Sequence, residues 1–322
     1  MIHRRMIWGL TLFLAGLELA GAPLPNTQPV VPADAIKPLL VWDVAPALRD
    51  TLPRNFRTTD TVLKAQDASP PSALGLAGLH MAGGGQFTAA GLKLALGALH
   101  GPVTVFDLRQ ETHVFVAGLP VSWFATNNWA NVGRAHPAIE ADEASRVRAF
   151  VSGTKLELAD DKTKKPPADA TPPETLVVAQ PATEREIVEA AGAAYVRITV
   201  ADHARPTDEE VDRFLQAVKA LPADGCVLFH CRAGRGRTTT FMALYDMLRN
   251  ARQVTLEDIA RRQEIIGNDF DVLQPADPGS AKAPYVADRI AFVRAFYDYA
   301  RANPDGRPQL WSEWLAKRPA AK

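Results

Sequence analysis

With 322 residues, the chain is long enough to bury one large core, or a core with a small insertion. Its 47% hydrophobic and 22% charged content is that of a globular domain and excludes a fibrous or disordered chain. Basic and acidic residues number 36 each, so no global field favours nucleic acid or an anionic membrane, and affinity for an anion has to come from a local cluster.

Residues 1–22 read as an export signal: His3, Arg4 and Arg5 give a positive start, Met6 to Ala20 an apolar stretch, and Ala20-Gly21-Ala22 a small-residue exit. The stretch is short for a membrane span and carries Glu18, although Pro23 is a poor cleavage context and leaves an uncleaved anchor as the competing reading. The expected location is the periplasm or the exterior, without stable membrane association once the signal is removed. Export would expose Cys226 and Cys231 to oxidation. On one strand their Cα atoms would lie about 16 Å apart, too far for a disulfide, so a free thiol there calls for a chemical explanation.

Residues 23–70 are proline-rich and predict an irregular wrap over the surface, and Gly83-Gly84-Gly85 predicts a loop or turn. Thr88 to Leu99 has helical spacing, and Pro102 to Leu108 reads as a buried strand followed by polar Arg109-Gln110-Glu111. Trp123 and Trp129 fall in an Asn-rich loop and read as packing residues. Leu156 to Leu158 and Thr175 to Val178 have strand character on either side of a charged, proline-rich loop from Asp160 to Pro173, which suggests a small β insertion. A short helix is expected from Thr183 to Ala191 and a strand from Ala194 to Val200. Thr207 and Glu210 have capping-box spacing at the start of a helix whose apolar face is Val211, Phe214, Leu215, Val218 and Leu221. Cys226 to Phe229 is a compact strand, and helices follow to about Asn250, over Thr255 to Ile265, and over Tyr285 to Ala302. Alternating strands and helices predict an α/β core with a mainly parallel sheet.

The segment from Phe229 to Thr239 carries the chemistry. A strand ends at Cys231, a glycine-containing loop turns, and a helix begins near Gly236. The backbone N–H groups of such a loop, in Arg232, Ala233, Gly234, Arg235 and Gly236, can converge on a phosphate dianion, and the helix N-terminus favours both that anion and a thiolate. Arg237 can close the cradle as a planar fork. A buried structural cysteine is the ordinary alternative, but a Cys and an Arg separated by five residues, between strand and helix, with His230 before and Thr238-Thr239 after, is a specific pattern.

This segment resembles the signature of the protein tyrosine phosphatase superfamily. The resemblance implies that Cys231 attacks phosphorus to form a phosphocysteine, that Arg237 stabilises the transferring phosphoryl group, that Thr238 assists the departing thiolate, and that His230 supports the loop. Asp202, 29 residues before Cys231, falls where the superfamily carries its acid-bearing loop, and His203 would help it. Asp202-His203-Ala204-Arg205-Pro206-Thr207, Asp212 to Leu215, Asn55-Phe56-Arg57, Asp107 to Glu111 and Trp123 to Asn131 narrow the resemblance to the bacterial cysteine phytases, also called protein tyrosine phosphatase-like inositol polyphosphatases. That family implies an exported phosphatase domain over 23–322, a small partial β-barrel insertion around 110–190, no metal or other cofactor, and Arg57 and Lys282 as contacts to substrate phosphates. Arginine at both 232 and 235 departs from the usual family loop and favours a substrate with several phosphates. The alternatives are a protein tyrosine or dual-specificity phosphatase, a phosphoinositide phosphatase, and a phosphate-binding module without catalysis. Neither a paired histidine spacing nor a Cys-x-x-Cys motif points to a metal, and Gly234-Arg235-Gly236 is not a dinucleotide fingerprint.

Overall fold

The computed structural model describes residues 24–31, 38–60, 63, 70–159, 175–267 and 269–317. The export signal expected at 1–22 and the charged loop expected at Asp160 to Pro173 lie outside them. Among the described residues the strands are β1 (Leu39–Trp42), β2 (Arg57–Thr58), β3 (Met81–Gly84), β4 (Val103–Arg109), β5 (His113–Val116), β6 (Leu119–Phe124), β7 (Lys155–Glu157), β8 (Thr175–Val177), β9 (Ala194–Val200) and β10 (Cys226–His230). The helices are α1 (Ala89–Gly97), α2 (His136–Ala149), α3 (Glu184–Ala190), α4 (Asp208–Lys219), α5 (Gly236–Asn250), α6 (Leu256–Ile266), α7 (Ala283–Ala302) and α8 (Trp311–Ala316).

The main sheet has the order β2-β3-β10-β4-β9, parallel except for β2. β10 sits at its centre and every residue of it is buried. That explains why Cys226 to Phe229 reads as a continuous apolar run rather than an alternation, because helices cover both faces of a parallel sheet. One face carries Phe214 of α4 and Phe241 of α5 against Phe106 and Phe229. The other packs Leu92 of α1 and Val188 of α3 with Phe87, Phe115 and Leu228. α5 is buried from Arg237 to Leu248, between the sheet and α6 and α7, so the helix behind the Cys231 loop is held on all sides.

Several helix starts follow the sequence. Thr88 Oγ1 accepts from Gly91 N, Thr255 Oγ1 from Asp258 N, and Thr183 forms a full capping box with Glu186. The box expected at Thr207 forms only in one direction. Thr207 Oγ1 accepts from Glu210 N, but the Glu210 carboxylate accepts from Thr199 N at 3.0 Å and Thr199 Oγ1 at 2.9 Å, tying α4 to β9 instead.

Two expectations are corrected. Gly83 and Gly84 belong to buried strand β3, not to a turn; a Cβ at Gly83 would lie 2.3 Å from Met242 Sδ and 2.9 Å from the Thr238 methyl, so glycine there lets α5 lie close against the sheet. The proline-rich N-terminal segment is not only an irregular wrap, since it supplies β1 and β2. β1 completes the three-stranded sheet β1-β6-β5, and β7 and β8 form a separate pair. The smaller β region therefore draws a strand from residues well before 110. Bridges between Val41 and Ala159 and between Phe115 and Ala182 join its parts, and among the described residues the strands do not close into a barrel.

Candidate active site

A cleft of about 510 Å³ opens at the carboxyl end of β10. Cys231, 3% exposed, faces it from the strand end. The loop that follows is shaped by what grips its outer side. Arg232 O accepts from Arg54 Nη2 at 3.3 Å and Gln86 N at 3.2 Å, Ala233 O from Asn55 Nδ2 at 2.8 Å, and Gly234 O from Arg57 Nη1 at 2.7 Å. In a planar trans peptide the next N–H points opposite to the carbonyl, so the amides of Ala233, Gly234 and Arg235 point the other way. Gly234 has φ +74°, and a Cβ there would sit 2.4 Å from Gly85 N and 2.5 Å from Gly84 C. Glycine is thus required both by the left-handed backbone and by the close approach of β3.

Arg57 is corrected from a substrate contact to a loop anchor. It is buried, does not line the cleft, and spends its donors on Asn55 O at 3.0 Å, Gly234 O and Thr239 Oγ1 at 2.9 Å. Burial, together with the charge of Arg235, lowers its pKa to about 10, against the opposing pull of Cys231. Arg232 borders the cleft, but its guanidinium is turned toward β1, where Nε donates to Asp43 Oδ1 at 2.8 Å and the group lies over Phe124. Asp43 also accepts from Arg109 and Ser122; burial pushes its carboxyl up, and Arg109 and Arg232 more than offset this and hold it below the ordinary range. Exposed Arg235 lines the cleft at the start of α5, with Gly236 beside it.

Arg237 is buried and held end-on by Glu111, with Nη1 to Oε2 at 2.7 Å and Nη2 to Oε1 at 2.9 Å. Nη1 also donates to Val200 O at 3.0 Å. Glu111 occupies the edge formed by the two terminal nitrogens, which leaves the Nε–Nη2 edge for a ligand, and Nε has no hydrogen-bond partner among the described residues. Burial works against the Arg237 charge, and Asp202, Glu111 and Cys231 outweigh it and raise its pKa well above the ordinary value. Burial pushes Glu111 up, but Arg237 and Arg109 hold it well below the usual carboxylate range. Thr238 Oγ1 donates toward Cys231 Sγ at 3.1 Å, with Gly84 O as its other neighbour at 3.2 Å.

Asp202 and His203 face the same cleft across from Cys231. Asp202 Oδ1 lies 3.5 Å from Arg237 Nε and accepts from His203 N at 3.1 Å. Oδ2 accepts from Asn128 Nδ2 at 2.8 Å, and the backbone carbonyl accepts from Trp129 Nε1 at 2.8 Å. Trp129 is therefore not merely a packing residue, and it also meets Tyr285 of α7 edge-on. Trp123 does pack, stacking on Phe150 beneath Arg146. Burial lowers the pKa of His203, and Lys282, Arg237 and Arg289 add to the lowering against Asp202. Lys282 lines the far wall beside Arg289, which is 8% exposed, lies over Phe270 and has an Nε without a hydrogen-bond partner among the described residues. His230 faces away from the cleft, buried against Phe87, with Nε2 2.7 Å from Glu184 Oε1 but off the line of a good hydrogen bond.

A family model described as "PTPlike_phytase: Inositol hexakisphosphate" matches residues 106–249, the stretch from β4 to the end of α5. The solved structure of a PTP-like phytase from Bdellovibrio bacteriovorus is 35% identical, covers 92% of this chain and 100% of its own, and superposes with a TM-score of 0.74. The chain belongs to the PTP-like phytase family. A PTP-like myo-inositol phosphatase from Mitsuokella multacida, solved in complex with myo-inositol-(1,3,4,5)-tetrakisphosphate, is a further PTP-like relative at 32% identity and TM-score 0.78, over 89% of this chain and 50% of that one. Effector protein hopD2 of Pseudomonas syringae pv. tomato is 35% identical over 270 residues, 81% of this chain, which spans 56% of that protein's length.

Asn128, Trp129, Glu111 and Arg289 were not assigned from the sequence. Glu111 lies within the Asp107 to Glu111 stretch, but its pairing spans 126 positions to Arg237, and no local pattern reports that.

Proposed function

We propose that this PTP-like phytase is a metal-independent cysteine phosphatase that removes phosphates from inositol polyphosphates. The observation that carries the reading is one cleft where Cys231 and Asp202 face each other, walled by Arg54, Arg235, Arg237, Lys282 and Arg289. One phosphate needs a nucleophile, the loop amides and one arginine; cations on the outer wall suit a ligand that brings further phosphates. The relative solved with an inositol tetrakisphosphate supports the same substrate class.

In the first step Cys231 Sγ attacks phosphorus, the S–P bond forms and the P–O bond to the ring oxygen breaks. Asp202 gives its proton to the departing alkoxide, which would otherwise be too basic to leave. The amides of residues 233–235 and the free edge of Arg237 hold the equatorial oxygens. In the second step water, deprotonated by Asp202, displaces the sulfur, and the Thr238 hydroxyl supports the thiolate as it leaves. Export rests on the sequence of residues 1–22. Among the described residues no helix is long and apolar enough to cross a membrane.

Phosphate release from inositol hexakisphosphate and from a phosphotyrosine peptide, with chelator present, tests the reading. The inositol phosphate is expected to be the better substrate by kcat/KM. Preference for the peptide would instead assign the same residues to a protein phosphatase.

A further inference from the structure

Behind the Cys231 loop, and outside the mechanism above, lies a buried group of titratable side chains. His113 on β5 occupies its centre. Nδ1 is 2.8 Å from Glu111 O, an atom that can only accept, so Nδ1 must carry a hydrogen. Nε2 lies between two carboxylate oxygens, 3.3 Å from Asp107 Oδ2 and 3.2 Å from Glu184 Oε2. Nε2 makes no well-aligned hydrogen bond to either oxygen, but a bare lone pair there would face two carboxylates, which favours a hydrogen on it as well. A ring that is a donor at both nitrogens is an imidazolium. Burial and Arg109 work against that charge, and the pull of Asp107 raises the His113 pKa to about 10.

Every element packed on the ring contributes a charge or a dipole. Asp107 of β4 also accepts from the Tyr195 hydroxyl at 2.8 Å and pairs with Arg197 of β9 at 3.2 Å. Glu143 of α2 accepts from His113 N at 3.0 Å and from Arg197 Nη1 at 2.6 Å. Glu184 of α3 accepts from Gln86 at 2.6 Å, and its other oxygen lies 2.7 Å from Nε2 of His230, the residue before the nucleophile. The Asp107, His113 and Glu184 atoms lie within 4.8 Å of one another, a spacing that could suit a divalent ion. With Arg197 already on Asp107, an added metal would meet direct repulsion, and the protonated ring supplies the cation itself.

We propose that His113 and Glu184 are positioning residues for the phosphatase reaction: the His113 imidazolium pairs in charge with Glu184, Glu184 in turn faces the His230 ring, and this charge relay sets the field and the seating of the Cys231 loop from the smaller β region. The inference rests on Cys231 as the nucleophile, but its test needs no substrate and so is separable from the question of what the enzyme hydrolyses. In the full chain with Cys226→Ala as background, the rate of Cys231 alkylation by iodoacetamide is measured at one mildly acidic pH, with the modified peptide identified by mass. Glu184→Gln removes one of the two carboxylates facing the imidazolium, leaves more positive charge beside the loop, and is expected to accelerate alkylation by roughly tenfold through a larger thiolate fraction. The charge-balanced pair His113→Gln/Glu184→Gln is expected to return the rate to within about twofold of the background. A loss of melting temperature alone would be the mark of a merely structural role. An unchanged rate in Glu184→Gln, or the same acceleration in the pair, would overturn the relay. Should the pair fail to fold, kcat and KM of Glu184→Gln decide, with a fall in kcat at constant KM expected and a change confined to KM contradicting it.

Discussion

Asp202 is oriented from three sides, and this determines how its proton can be delivered. Asn128 donates to Oδ2, the His203 amide donates to Oδ1, and Trp129 fixes the carbonyl. Asp202→Asn keeps the shape and removes the proton, so kcat on an inositol phosphate should fall by ~10²-fold or more, while an aryl phosphate, whose leaving group is already stable, loses far less. Equal losses on both would show that Asp202 is not the acid. Asn128→Ala removes one donor to a charged acceptor and should cost about tenfold in kcat with the same leaving-group bias. Asp202 could be found from its position after strand β9. Asn128 could not, because its hydrogen bond crosses 74 positions and its backbone takes a positive φ, a conformation asparagine tolerates but does not announce.

At the scale of elements, residues 54–57 and the end of β3 form the outer mould of the Cys231 loop. Replacing Arg57 by Ala removes three hydrogen bonds and leaves Gly234 O and Thr239 without that donor, so a loss of about 2–4 kcal/mol is expected by denaturant titration, with kcat reduced and KM little changed. A large rise in KM with wild-type stability would return Arg57 to the role the sequence suggested. That misreading has a physical cause: sequence shows an arginine near a motif but not whether its head reaches the cleft or the back of the loop. The buried charges also predict the pH range of stability. His113 has a raised pKa, so the stability it contributes is complete below about 6.5 and is lost as pH rises toward about 10. Glu184 is lowered to about 2, its burial outweighed by His230 and His113, so its contribution is complete above about 4.5 and is lost as pH falls toward 2. Melting temperature against pH should therefore fall at both ends, and Glu184→Gln should flatten the acid side and, by taking one carboxylate from His113, also shorten the alkaline fall. An acid limb unchanged by that substitution would contradict the assignment.

Across the whole molecule, the α/β core was legible because its strands and helices are short, strongly patterned and punctuated by Thr caps. β4, β9, β10, α4 and α5 fall within a residue or two of expectation. The smaller β region was less legible, since β1 is brought to β6 from about eighty positions away and pairing over that distance leaves no local mark. The export reading predicts a mature chain beginning at Pro23 in the periplasmic or secreted fraction, and full-length chain retained in the cytosol would contradict it.

The most direct measurement is the covalent intermediate. The enzyme is mixed with inositol hexakisphosphate, quenched in acid within a turnover, and the peptide carrying Cys231 is weighed. A phosphate on Cys231 in the wild-type chain, with neither adduct nor turnover in Cys231→Ser, is the predicted result. Undiminished phosphate release by Cys231→Ser, or a phosphate trapped on another residue, would contradict the account.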